Sequence, residues 1–247
     1  VIVNDFQDQE TFGFQSNVST KPSLVETHYA IQFLKDTENL LLIDKNNVKK
    51  FVDSCWDEEN HLFSAIPDGE ANLIDTFYAL KILNNLELLS SFSNSNATAI
   101  YDSVEMYYCD EPAFENHIGG YSFTQSNAYS SILMTYTAIE ILNLLDLTVH
   151  EATFDWVLDR QSANDYGFQD PPMNEIQAPS SAKLSYYAIE IILRYEPKAF
   201  DNSRGAVMNQ ELWELDTSGW IIAGIVIGIL ALIGGIGYGI YRYKTRI

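Results

Sequence analysis

Leu73-Ile74-Asp75-Thr76-Phe77-Tyr78-Ala79-Leu80-Lys81-Ile82-Leu83 is a stretch that this chain states four times, and its reading decides the fold. The other copies are Val25-Glu26-Thr27-His28-Tyr29-Ala30-Ile31-Gln32-Phe33-Leu34, Leu133-Met134-Thr135-Tyr136-Thr137-Ala138-Ile139-Glu140-Ile141-Leu142 and Lys183-Leu184-Ser185-Tyr186-Tyr187-Ala188-Ile189-Glu190-Ile191-Ile192-Leu193. The anchoring alanines Ala30, Ala79, Ala138 and Ala188 stand 49, 59 and 50 residues apart. A period near 50 marks stacked supersecondary units, each burying its apolar face against its neighbours. In the second copy Ala79, Ile82, Leu86 and Leu89 recur at steps of three and four, beside a stripe of Leu73, Phe77 and Leu80. That spacing predicts a helix with a wide apolar arc, packed on more than one side.

A shorter helix is predicted after each of the first three copies, at 45–55, 97–109 and 150–161, with Asn46, Asn96 and Thr148 as N-caps. Acidic loops follow and end in Leu62-Phe63, Gly120-Tyr121 and Gly167-Phe168, while Gly13-Phe14 precedes the first copy. These aromatics lie 16, 16, 17 and 20 residues before their alanines. No stretch alternates with period two, so the predicted fold is all-α: repeated helical hairpins over 1–195. Residues 196–218, which include Glu196-Pro197 and Asn202-Ser203-Arg204-Gly205, read as a linker.

Trp220 to Tyr241 is 22 residues without a charge, about 33 Å of helix at 1.5 Å per residue, the thickness of a bilayer core. A transmembrane helix over 219–241 is therefore expected, with a short tail at 242–247. Arg242, Lys244 and Arg246 follow it, whereas Glu211, Glu214 and Asp216 precede it. Positive flanks stay inside, so the expectation is a single-pass cell-membrane protein, its N-terminal domain outside and its C-terminus cytoplasmic. Gly224 with Gly228, and Gly235 with Gly239, form small-residue rows that suit packing of this span on another. All 34 acidic residues precede the span, against 11 of the 14 basic ones, a surplus of 23 negative charges. Such a surface repels nucleic acid, which is excluded as a partner. Asn17-Val18-Ser19 and Asn96-Ala97-Thr98 match the glycosylation pattern and fall in expected loops.

A Gly-aromatic turn followed by a Thr-aromatic-Tyr-Ala-Leu helix, at a period near 50, resembles the repeat of the prenyltransferase and squalene-cyclase superfamily. The resemblance covers about residues 10–195 and implies an α/α toroid, with the signature helices lining its inside. Complete toroids of that family have more hairpins than four, so an open arc, or closure by a partner or by further chain, is implied.

The same resemblance allows the chemistry to be tested position by position. Zinc-dependent protein prenyltransferases carry Asp-x-Cys in the signature helix and a His in a later copy. Here the Asp position holds Glu26, Asp75, Met134 and Leu184, and the Cys position holds His28, Phe77, Tyr136 and Tyr186. Zinc needs three or four protein ligands, and Phe77, Met134 and Leu184 supply none. Asp53-Ser54-Cys55 spells the motif on a short helix instead. Asp-rich cyclase, thioester, Walker and Rossmann signatures are absent, so no metal or other cofactor is expected. Glu26, His28, Asp75, Phe77, Tyr136 and Tyr186 remain as candidate inner-cavity residues, with His28 read foremost as a hydrogen-bonded packing histidine. His61, His117 and His150 are expected in solvent. The acidic loops Asp57-Glu58-Glu59, Asp68-Gly69-Glu70 and Asp110-Glu111 with Glu115 are read as a solvated rim. Cys55 and Cys109 sit at the ends of successive short helices, where a disulfide and two buried thiols are both open.

Two functions follow. One is a membrane-anchored extracellular domain that binds a protein partner or serves as a subunit of a membrane complex. The alternative is an enzyme of the prenyltransferase or terpene-cyclase class acting on an apolar, isoprenoid-like substrate. The last copy ends the stack, and its Tyr186, Tyr187, Ile191 and Ile192 are expected to meet another copy, a subunit, or residues 200–215 folding back.

Overall fold

The computed structural model describes residues 6–16, 20–125, 129–171 and 179–195. Among them the helices are α1 (Leu24–Asp36), α2 (Lys45–Ser54), α3 (Leu73–Asn85), α4 (Leu89–Glu105), α5 (Ile132–Leu144), α6 (Glu151–Leu158) and α7 (Ala182–Tyr195). Short 3-10 turns occupy Leu40–Leu42 and Pro112–His117. The signature copies are α1, α3, α5 and α7. Successive ones lie side by side, α1 on α3 and α3 on α5. Tyr187 carries the layer on to α7, its ring 4.7 Å from that of Tyr136. The intervening helices form a second layer, with α2 and α4 both packed on α3. Ala79, Ala138 and Ala188 are fully buried, as expected of small residues that let helices approach.

Three devices recur through the repeats. An Asn or Ser caps the inner helix: Ser23 accepts from the Glu26 amide, Asn72 from Asp75, Ser131 from Met134 and Ser181 from Leu184. A hydroxyl three residues before each anchoring alanine accepts the amide of the turn aromatic. These bonds run from Phe14 to Thr27 (2.9 Å), Phe63 to Thr76 (2.8 Å), Tyr121 to Thr135 (2.9 Å) and Phe168 to Ser185 (2.9 Å). The aromatics themselves are buried, 0–4 % exposed. Finally, α1, α3 and α5 end in left-handed residues, Glu38 (φ 59°), Glu87 (φ 64°) and Asp146 (φ 59°). The next amide then bonds back to the helix, Leu88 to the Leu83 carbonyl at 2.8 Å, in the manner of a Schellman cap.

The all-α expectation needs correction. The aromatic turns are small antiparallel sheets: β1 (Trp56–Asp57), β2 (Leu62–Ser64) and β3 (Ala71–Asn72) form one, β4 (Tyr121–Ser122) and β5 (Ser130–Ser131) another. Strands of two or three residues are too short to show alternation. The second outer helix also begins at Leu89, not at residue 97, so Asn96 lies in mid-helix rather than in a loop or at a cap, its side chain bonded to the Phe92 carbonyl. The caps of the other two are Asp44 and His150 instead of Asn46 and Thr148.

Cys55 and Cys109 are buried free thiols. They are not equivalent: Trp56 pairs with Phe63 and Tyr108 bridges to Tyr121, which sets Cys55 just before the pairing residue and Cys109 just after it. Burial pushes their thiols up, to about 12 and about 11. Among the described residues no helix is long and apolar enough to cross a membrane. The expected span at 219–241 with Gly224, Gly228, Gly235 and Gly239, the linker, the tail and Asn17 lie outside the described residues.

Candidate functional site

The inner helices turn a belt of rings toward one another. From α1 to α3, His28 lies 5.2 Å from Tyr78 and 6.5 Å from Phe77, and Tyr29 lies 6.1 Å from Tyr78 (ring centroids). Phe77 meets Tyr136 of α5 at 6.4 Å, and Tyr136 meets Tyr187, with Tyr186 5.5 Å beyond. The residues that occupy the expected Cys position, His28, Phe77, Tyr136 and Tyr186, thus fall on one continuous aromatic surface. Spacing at i and i+4 sets a second row one turn on. There Lys81 reaches Glu140 across α3 and α5 at 3.1 Å while its ammonium sits 5.4 Å from the Phe77 ring centre. Glu140 is buried, 3 % exposed. Lys183 stands 5.9 Å from the Tyr187 ring. Cations over ring faces gain from the quadrupole, more so when desolvated.

His28 is not the hydrogen-bonded packing histidine expected of it. It is half-buried and its Nδ1 has no hydrogen-bond partner; the same holds for Glu26 Oε2. Burial, followed by the charge of Lys81, holds its pKa at about 4, so the imidazole is neutral at pH 7. Burial likewise raises the Tyr78 hydroxyl, which bonds to Tyr29. Asp75 is 7 % exposed and its carboxyl is raised by burial, against the hydrogen bond from Asn72 at 2.6 Å. It acts on its own helix start, not on the belt.

The donor set does not fit zinc. Asp75 is committed to Asn72, the next ligand position is the ring of Phe77, and Met134 and Leu184 offer no oxygen or nitrogen. Among the described residues no three His, Cys, Asp or Glu side chains come together as a metal site. The acidic rim is solvated as expected, with Asp57 accepting the amides of Glu59 and Asn60 in its own turn. His117 departs from expectation: it is 5 % exposed, with Nδ1 3.1 Å from the Ser130 amide. His150 is half-exposed, stacked 4.1 Å on Tyr108 and 2.6 Å from Glu105. A cavity of about 530 Å³ lies away from the belt, lined by Asp8, Glu10, Lys21, Pro22, Phe51 and Asp68.

Sequence reasoning missed Lys81, Glu140 and Lys183. Pairing between helices 59 residues apart leaves no local pattern to read.

The family model described as "Prenyltransferase alpha-alpha toroid domain" matches residues 2–171. Among solved structures the chain is similar to Candida albicans protein geranylgeranyltransferase-I complexed with GGPP, at 18 % identity and a TM-score of 0.60. The similarity covers 78 % of this chain and 53 % of that one, so the chain spans about half its length. No curated protein sequence matches.

Proposed function

Because the chain belongs to the prenyltransferase alpha-alpha toroid domain family, we propose that it is a binding member of that family, holding an apolar segment of a protein partner on its inner aromatic belt. The observation that carries this is the surface itself: where a zinc-dependent relative needs ligands, this chain has His28, Phe77, Tyr136 and Tyr186. Aromatic rings supply large, rigid contact area at little entropic cost. The charged run at 242–247 and the uncharged stretch before it support placing this domain outside the cell on a single membrane anchor. That part of the proposal rests on sequence alone.

A second reading is favoured by the likeness in fold to a geranylgeranyltransferase and by the chemistry of the belt. An isoprenoid-like chain suits the same rings, with Lys81 and Lys183 beside it for an anionic head. The two readings separate in one assay. The full chain is incubated with geranylgeranyl diphosphate and a cysteine-bearing peptide, with and without zinc, and products are weighed by mass spectrometry. The binding reading expects no prenylated peptide under either condition. Zinc-dependent transfer, abolished by His28→Ala, would overturn it.

A further inference from the structure

We infer that the cavity beside the first aromatic turn binds a guanidinium, amidinium or ammonium group carried on an apolar stem. The cavity shares no lining residue with the belt, so the inference does not rest on the belt's role.

Residues far apart in the sequence meet here. Asp8 and Glu10 lie in the first acidic turn and Asp68 in the loop after β2, yet all three carboxylates line one cavity of about 530 Å³. Its floor is apolar, formed by Pro22 ahead of α1 and Phe51 of α2. The acidic turn lies against this floor only because position 13 is glycine. A Cβ there would stand 2.7 Å from Pro22 Cβ and 2.8 Å from the Phe51 ring. The far wall is fixed as well. Leu24 donates its amide to the Ala65 carbonyl at 2.9 Å, and Gly69 donates to the Ile66 carbonyl at 3.0 Å, with Asp68 held between at a φ of 60°. Preformed cavities of roughly 300–1,000 Å³ are the size that takes a small molecule.

Asp8 is organised as an acceptor. Its Oδ1 takes the Thr11 amide at 2.7 Å, the Thr11 hydroxyl at 2.8 Å and the Glu10 amide at 3.1 Å. The Thr11 amide, ahead of the hydroxyl, holds the carboxyl below the ordinary carboxylate range, so it is ionised at neutral pH. All three bonds fall on one oxygen. In the corresponding turn of the second repeat, Asp57 commits its other oxygen too, Oδ2 accepting from Asn60 Nδ2 at 2.9 Å. With Thr11 in place of that asparagine, Asp8 Oδ2 has no donor among the described residues.

The lining selects the ligand's chemistry. It carries three carboxylates against one ammonium, that of Lys21, and so repels an anion. A bare metal ion does not suit it: the volume is many times that of an ion and the floor is carbon. Among the described residues no three His, Cys, Asp or Glu side chains come together as a metal site. A wholly apolar ligand would strip water from the carboxylates without replacing its hydrogen bonds. An organic cation meets both demands, its N–H groups on Asp8 and its stem over Pro22 and Phe51. Such N–H donors to a carboxylate form the stronger, charge-assisted bonds. A free small cation and an arginine or lysine side chain of a protein share this chemistry.

The test titrates the full chain, in non-ionic detergent, with benzamidine and reads binding by ligand-observed NMR. Benzamide, nearly the same shape without the charge, is titrated beside it. Benzamidine is expected to bind saturably and benzamide is not. Asp8→Asn keeps the oxygen that caps the turn and should weaken binding about tenfold or more. Glu58→Gln, which removes one charge from the next turn, should leave it unchanged. Gln15→Lys places an ammonium in the cavity and should abolish binding with an unchanged circular-dichroism melt. Lys21→Gln removes the repelling charge and should tighten binding about threefold, a gain that misfolding does not produce. Equal binding of benzamide, equal weakening by Asp8→Asn and Glu58→Gln, or no saturable binding overturns the inference. Displacement of benzamidine by a glycine–arginine–glycine peptide blocked at both ends identifies a protein side chain as the occupant. Benzamidine binding that the peptide does not displace identifies a free cation, and both results uphold the site.

Discussion

Replacing Thr76 by Val keeps its shape and removes the hydroxyl that accepts the Phe63 amide, a bond buried beside a ring that is fully covered. An unsatisfied buried donor costs about 1–3 kcal/mol, whereas Thr76→Ser keeps the bond and is expected to cost less than half of that. Urea denaturation of the two variants checks the difference. The same hydroxyl stands in every repeat, as Thr27, Thr76, Thr135 and Ser185, 13, 13, 14 and 17 residues after the aromatic whose amide it accepts. It was legible in the sequence as a position. Its role was not, because a Thr in an apolar run also reads as a neutral spacer. His28 provides a second test. Its folded pKa, about 4, lies below the ordinary 6.5, so the fold prefers the neutral ring and protonation works against it. Stability should fall as pH drops from about 6.5 through 4, by about 1–2 kcal/mol for a part-exposed group. His28→Phe, which copies Phe77 of the next repeat, should remove that portion of the slope, seen in urea midpoints at pH 7 and pH 4.5.

At the scale of the element, the helix ends carry a cost that a glycine relieves. Glu87 holds φ at 64° and places a carboxylate at the C-terminus of α3, unfavourable for both backbone and dipole. Its ion pair with Lys45 is exposed and contributes little. Glu87→Gly is therefore expected to raise stability by about 0.5–1 kcal/mol, measured by thermal or urea unfolding, with no change in fold. The elements that the sequence misplaced fail for a nameable reason. Leu89 through Asn96 is rich in Ser and Asn, residues that favour turns, yet it forms the first turns of α4. Phe92 decides this, its ring 5.4 Å from Trp56 and 5.3 Å from Phe63, 7 % exposed. Burial of one large ring outweighs several weak propensities.

For the molecule as a whole, the period of 50 made the paired-helix architecture readable, and the aligned positions led directly to His28, Phe77, Tyr136 and Tyr186. What the alignment could not show is that these four, with Tyr29, Tyr78 and Tyr187, form one surface crossed by the Lys81–Glu140 pair. Which faces meet is set by how neighbouring helices rotate about their axes, and a repeat of six to eight apolar residues fits several rotations. The central claim is that this surface holds an apolar segment of a protein. The most direct measurement places photo-reactive benzoylphenylalanine at Tyr136, on the belt, and separately at Tyr166, an exposed residue in the loop after α6. Full-length protein is irradiated in its native cells and the adducts are identified by mass. The account predicts a protein adduct from position 136 and none from position 166. An isoprenoid-sized adduct at 136, or no adduct there, would contradict it.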